Sequence, residues 1–156
     1  MEWRCVLMRV YLGGPIRGLS YEEAIGWRDK TIDKLNEVGI KCYSPMRHKE
    51  KIKDIEKIIG FDGAMPGYSG QDIFQRDKFD VTRSDILLFN FLNKKVSIIG
   101  SLFELAWGNL LNKYCVVVVS KDSIYYKHPF IKESASIIFE DLDEAVDYIG
   151  VCYGRK

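Results

Sequence analysis

No excess of either charge marks this sequence: 23 lysines and arginines face 22 aspartates and glutamates. That balance leaves no global field to draw in a polyanion, so a nucleic-acid polymer is not an expected partner. Cysteine is scarce and scattered. Cys5, Cys42, Cys115 and Cys152 show no CxxC and no Cys/His ligand spacing, which excludes the common metal-site patterns. Three of them fall in or beside apolar runs, so buried, reduced thiols are expected. The N-terminus carries Glu2 and Arg4, and its short apolar run is broken by Arg9. It reads as neither a signal peptide nor a membrane span, so a cytoplasmic protein with no membrane partner is expected. Repeats, low-complexity tracts and linkers are missing, and 156 residues suit one domain over 1–156 with a real core.

What is present alternates. Val6 to Leu12 reads as a strand ending at Gly13-Gly14-Pro15. Met8 opens a self-sufficient version of it, so residues 1–7 are expected to be an N-terminal extension. Ser20-x-x-Glu23 is a capping box that starts a helix running to about Val38, with Ala24, Trp27, Ile32 and Leu35 on one face and Gly39 as its stop. Ile40 to Tyr43 is a short strand closed by Ser44-Pro45. His48 to Lys57 is dense in Lys and Glu and is expected to be a solvated helix. Gly60 to Gly70 holds four glycines and a proline among Phe61, Met65 and Tyr68. A loop this long in a compact domain is usually functional, so residues 45–70 are expected to form a lid or insert.

Gln71 to Arg83 is a helix on which Asp77 shares a face with Ile73, Phe74 and Val81, pointing this carboxylate inward. Asp80 has Arg76 four residues before it and is expected to make an ordinary surface pair. Asp85 to Leu92 and Tyr114 to Ser120 are continuous apolar runs, as fully buried parallel strands require. Ser136 to Phe139 is a last short strand, and Asp141-x-x-Glu144 caps a final helix expected to stop at Gly150. The pattern implies an α/β fold of three layers. The expected core is a five-stranded parallel sheet in the flavodoxin-like order 2-1-3-4-5. That order sets the loops after strands 1 and 3 side by side, so Gly13–Gly18 and Gly100–Glu104 should share one cleft.

The second of these loops leads into Leu102 to Leu111, a helix apolar almost all round and therefore expected to be buried on most sides. Glu104 sits in its first turn. Ser101 and Glu104 have capping-box spacing, and on local pattern alone a cap explains the glutamate as well as chemistry does. Its place after a glycine loop, at the C-terminal end of a buried strand, favours a nucleophile or acid/base. In the first loop, YLGGPIRG (11–18), the glycines permit close backbone approach and Arg17 can hold an anion or a sugar oxygen.

These segments together, YLGGPIRG (11–18), RDKFDVTRSDILLFNF (76–91) and GSLFELAWG (100–108), resemble the nucleoside 2-deoxyribosyltransferase family, which includes related deoxynucleotide N-glycosidases. SPMR (44–47) and the tail from His128 to Ala145 look like the same family, and the resemblance runs from about Met8 to Ile149. It implies a retaining substitution at C1′ of a deoxynucleoside. Glu104 would be the nucleophile, Asp77 the acid/base at the departing nucleobase, and Tyr11 the residue that orients Glu104. Gly13, Gly14, Ile16, Arg17, Met46, Ser97, Gly100, Ser101 and His128 would contact substrate. His128 would do so in a site completed by a neighbouring subunit of a homo-oligomer.

The resemblance implies no metal and no organic cofactor. One carboxylate beneath an oxocarbenium-like centre and one proton donor on the base side suffice. One departure stands out. Where the family often carries Ser, Thr or Asp six residues before the glutamate, this chain has Ile98, with Ser97 one place earlier. That departure turns the expectation toward deoxynucleosides and free nucleobases as the small-molecule partners and away from 5′-monophosphates. The alternatives are a hydrolase working through the same intermediate and a non-catalytic nucleotide-binding module.

Overall fold

The computed structural model describes residues 7–59 and 67–155. In chain order they form β1 (Arg9–Gly13), α1 (Tyr21–Glu37), β2 (Lys41–Tyr43), α2 (Gly70–Arg83), β3 (Ile86–Asn90) and α3 (Ile99–Leu110). Then follow β4 (Tyr114–Val118), the short α4 (Ile124–Lys127) and α5 (Pro129–Ser134), β5 (Ile137–Phe139) and α6 (Leu142–Tyr153). Every strand pairing is parallel, and the order is β2-β1-β3-β4-β5, the flavodoxin-like arrangement expected from the sequence.

Both sheet faces are covered, which is why the central strands read as unbroken apolar runs. Tyr11, Leu87, Phe89, Cys115 and Val117 pack with Val81 of α2 and Leu105 of α3 on one face. Val10, Leu12, Leu88 and Val116 pack with Leu35 of α1 and with Val146 and Ile149 of α6 on the other. The Ser20–Glu23 capping box forms reciprocally, at 3.2 and 2.8 Å. A second box, Ser69 with Asp72, starts α2. No helix among the described residues is long and apolar enough to cross a membrane.

Several expectations need correction. The stretch from His48 to Lys57 holds one 3-10 turn, Glu50–Ile52, and no α-helix. Instead of lying in solvent, Lys49 and Ile52 are buried, as is Ile58 just beyond. Gly18 N donates to Ile58 O at 2.7 Å and Ile58 N to Leu19 O at 2.8 Å. These bonds, with Ile52 and Ile58 packed on Leu19 and Met46, stitch the segment to the loop after β1. Of the expected lid, residues 60–66, including Phe61 and Met65, lie outside the described residues, as do residues 1–6 of the N-terminal extension and Cys5. Tyr68 is buried and donates to His48 O at 3.0 Å.

Asp80 is fully buried and forms no surface pair with Arg76. It holds Arg47 and Arg83, the latter at 2.7 Å. Helix α3 begins at Ile99, so Glu104 lies past its first turn and no capping box forms with Ser101. Only a stripe of Ser101, Glu104, Leu105 and Gly108 is buried, while Ile99, Phe103 and Leu110 are exposed. Helix α6 runs through Gly150 to Tyr153. An added Cβ at Gly150 would make only an ordinary contact with Val38, at 3.7 Å. All three described cysteines are free. Cys115 is buried as expected, Cys42 is partly exposed and Cys152 is exposed.

Candidate active site

The cleft forms where the strand order reverses, between the C-terminal ends of β1 and β3, as open parallel sheets dictate. It has a volume of about 450 Å³. One wall is the loop after β1 (Gly14, Pro15, Ile16, Arg17), and another is the start of α3 with the residues before it (Ser97 to Ser101, and Glu104). Helix α2 contributes Gly70, Ile73 and Asp77, and the stitched segment contributes Lys49, Ile58 and Ile59. Of the residues singled out in the sequence, Gly14, Ile16, Arg17, Asp77, Ser97, Gly100, Ser101 and Glu104 therefore line one cavity.

Two glycines bring the helix and its carboxylate down onto the strand ends. A Cβ on Gly108 would lie 2.2 Å from Leu87, so only glycine lets α3 sit this close to β3. A Cβ on Gly13 would meet the Phe89 ring at 2.4 Å and Glu104 Oε2 at 3.2 Å. Gly13 is thus a packing residue at the floor of the site. Tyr11, fully buried, donates its hydroxyl hydrogen to Glu104 Oε1 at 2.9 Å. Glu104 Oε2 has no hydrogen-bond partner among the described residues.

Electrostatics separate the two carboxyls. Burial pushes Glu104 up to about 8, helped by the nearby Asp77 charge and opposed by the Tyr11 hydroxyl, Arg28 and Lys49. Burial also lifts Asp77, to about 6, against the pull of Lys49 and then Arg76. Arg76 Nε lies 3.7 Å from Asp77 Oδ1, and Arg76 Nη2 donates to Pro45 O at 2.7 Å. Burial, with the Glu104 charge beside it, raises the Tyr11 phenol well above its usual range, so Tyr11 remains a donor. A buried acid that holds its proton near neutrality, beside a second carboxyl of different tightness, is a pairing suited to acid/base and nucleophilic work.

Two expected contacts lie elsewhere. Met46 is buried with Leu19, Tyr21 and Tyr68 and does not line the cleft. His128 lines a separate apolar cavity of about 310 Å³ with Leu102, Leu105 and Ile131. Its Nδ1 accepts from Phe130 N at 3.3 Å and caps α5.

Two cations went unread in the sequence. Arg28 is fully buried on the inner face of α1 and donates to Leu12 O at 3.2 Å and Gly14 O at 2.9 Å, as well as to Ala24 O. It fixes the carbonyls on either side of Gly13. Its spacing from Ala24 and Leu35 placed it on the buried stripe, and that was the available signal. Lys49, 1% exposed, follows no periodic pattern that would have marked it. Among the described residues no three His, Cys, Asp or Glu side chains are grouped as a metal ion would need.

No family model matches the chain, and no curated protein does. Solved structures do. A CMP N-glycosidase, BcmB, of Clostridium botulinum superposes with a TM-score of 0.57 at 14% identity, covering 92% of this chain and 98% of that one. A putative pilus assembly-related protein of Burkholderia pseudomallei K96243 gives a TM-score of 0.46 at 11% identity, over 96% and 95% of the two chains. At such identities the first likeness shows a shared fold, and the second supports no argument.

Proposed function

We propose that this chain cleaves the N-glycosidic bond of a 2′-deoxynucleoside through a covalent glycosyl-glutamate and passes the deoxyribosyl group to a second nucleobase. The observation that carries this reading is Glu104 itself. One oxygen is held by Tyr11 while the other is buried near Gly13 with no hydrogen-bond partner among the described residues, and Glu104 and Asp77 line the same cavity. In the first step a Glu104 oxygen bonds to C1′ and the C1′–N bond breaks. The electron pair leaves with the base, and the Asp77 proton ends on it. In the second step a nitrogen of the incoming base attacks C1′, Glu104 leaves as the carboxylate, and Asp77 recovers a proton.

Burial raises both carboxyls, Glu104 to about 8 and Asp77 to about 6. The reaction needs Glu104 ionised and Asp77 protonated. A sugar developing positive charge at C1′ favours an ionised Glu104, and a base nitrogen accepting from Asp77 favours its protonated form. Substrate binding thus favours an ionised Glu104 and a protonated Asp77.

A second reading has a specific observation behind it: hydrolysis of a 5′-monophosphate. Helix α3 starts without a side-chain cap at Ile98; Ser97 Oγ accepts from Ile99 N at 3.3 Å, and Gly100, Ser101 and Arg17 line the same cavity. A helix N-terminus beside a guanidinium suits a phosphate. The structural neighbour is named for a monophosphate.

We assign the protein to the cytoplasm as a single domain over 1–156, acting on small molecules. Exposed Ile99, Phe103 and Leu110 of α3, with Ile124 and Phe130, suit the face of a homo-oligomer. Light scattering that finds a fully active monomer would remove that assignment.

The test is incubation with thymidine or deoxyinosine, with and without a second free base, followed by chromatography. Transfer predicts that added base speeds nucleoside consumption and appears in a new nucleoside. Deoxyribose released at one rate regardless of added base, or a clear preference for the monophosphate, replaces transfer with hydrolysis.

A further inference from the structure

Two neighbouring residues of α2 each leave a buried polar atom without a hydrogen bond. Neither Arg76 Nε nor Asp77 Oδ1 has a hydrogen-bond partner among the described residues, and the two atoms lie 3.7 Å apart. That separation is an ion-pair contact just beyond hydrogen-bond reach. A buried donor and a buried acceptor each cost free energy when left unpaired. A pair kept slightly apart beside the cleft therefore calls for a reason.

The guanidinium is held in place from its far side. Arg76 Nη2 donates to Pro45 O at 2.7 Å. Pro45 belongs to the segment after β2, which is itself tied down. Met46 N donates to Ser44 Oγ at 3.1 Å, and Arg47 Nη1 donates to Ser44 O at 3.0 Å. Arg47 is also paired with the buried Asp80, one turn after Asp77 on α2. The loop thus fixes one end of the Arg76 fork, and α2 carries both its backbone and Asp77. Asp77 is among the residues lining the cleft and Arg76 is not.

We propose that Arg76 is a positioning residue for the acid/base: it keeps the transferable proton of Asp77 on Oδ2, and it closes to a hydrogen bond with Oδ1 as Asp77 gives that proton to the departing base. The inference rests on the N-glycosidic reading above. An arginine N–H can only donate, so the oxygen beside it serves as an acceptor and the carboxyl hydrogen belongs on the other oxygen. When the C1′–N bond breaks, the electron pair stays with the base. The Oδ2–H bond breaks toward that base, and Asp77 becomes a carboxylate. The new charge draws on Nε, and the 3.7 Å contact shortens into a charge-assisted bond as the charge appears. An interaction that is stronger after proton transfer than before it lowers the barrier to transfer. In the second step the contact opens again as Asp77 recovers a proton.

The test is a double-mutant cycle of Arg76→Met and Asp77→Asn, with Arg76→Lys beside it and folding checked by circular dichroism. Each variant is assayed on thymidine and on 5-fluoro-2′-deoxyuridine, whose more acidic base leaves more easily. If wild type takes only purines, deoxyinosine and its N7-methyl derivative replace them. Arg76→Met should lower kcat about tenfold on the poorer leaving base, change KM less than about twofold, and cost less on the better one. In the Asp77→Asn background the same substitution should change kcat less than about twofold, because no carboxylate forms there. Arg76→Lys keeps the cation and should recover part of the loss. Equal losses in both backgrounds, or on both leaving bases, overturn the role of Arg76 and leave the cleavage reading intact. Should Arg76→Met fail to fold, Arg76→Gln takes its place in the cycle with the same expected pattern. A wild-type protein that cleaves no deoxynucleoside or monophosphate overturns the cleavage reading, and this inference with it.

Discussion

Tyr11 and Glu104 lie 93 residues apart in the chain and meet through a 2.9 Å hydrogen bond inside the cleft. The strand end supplies the donor and the buried stripe of α3 the acceptor, so the bond reports on how β1 and α3 are docked. The second carboxylate oxygen is buried and has no hydrogen-bond partner among the described residues. Tyr11→Phe should keep the fold, lower kcat on the order of tenfold and change KM little, because the lost donor supports charge on Glu104 during reaction. Steady-state kinetics on the preferred substrate check this.

Burial of the two carboxyls has a stability cost with a definite sign. Both hold their protons more tightly in the folded state than in the unfolded chain, up to about 8 for Glu104 and about 6 for Asp77. The native state therefore binds more protons than the unfolded one across that window. Their contribution is fully present below the ordinary carboxyl range and is lost as pH rises through the folded values. Thermal melts of wild type should fall in Tm from about pH 5 to about pH 8.5. Glu104→Gln should flatten that fall and exceed wild type at the alkaline end by on the order of a few kcal/mol. Equal pH dependence in both proteins would contradict this.

On the proposed mechanism, Asp77→Asn removes the proton donor at the leaving base. The rate should drop on the order of 10²-fold or more, with smaller losses for substrates whose bases leave easily. Losses that do not vary with the leaving group would mark Asp77 as structural.

Much of this arrangement was legible because it follows from period and position. The apolar runs of β3 and β4 announced buried parallel strands, and the strand order then placed the Gly13–Gly18 loop beside Gly100–Glu104. Asp77 was readable from helical spacing. What stayed hidden depended on tertiary partners. Asp80 looked like a surface residue because its true partner Arg47 lies 33 residues away. Lys49 was hidden because long-range backbone bonds override the helical appearance of its segment. The outer face of α3 looked like core because composition records apolarity and not what covers it. Ser101 and Glu104 had the spacing of a cap, but the helix begins three residues earlier than that cap requires and turns the glutamate toward Tyr11.

Asp80 anchors the Ser44–Arg47 segment to α2 one turn after Asp77. Asp80→Asn leaves Arg47 and Arg83 without their shared counter-charge. It should cost about 1–3 kcal/mol in urea unfolding, because the two arginines left without their carboxylate are partly exposed. A change within about 0.5 kcal/mol, the range of ordinary surface substitutions, would contradict the buried-anchor role.

The central claim is that Glu104 attacks C1′, and trapping the intermediate tests it most directly. A 2-fluoro-2-deoxyribosyl nucleoside slows breakdown of a glycosyl-enzyme, because the fluorine destabilises the cationic transition state. Intact-mass analysis followed by peptide mapping should find one fluorodeoxyribosyl adduct per chain, located on Glu104 and missing in Glu104→Gln. No adduct in an enzyme that turns over the unfluorinated substrate, or an adduct on another residue, would contradict the account.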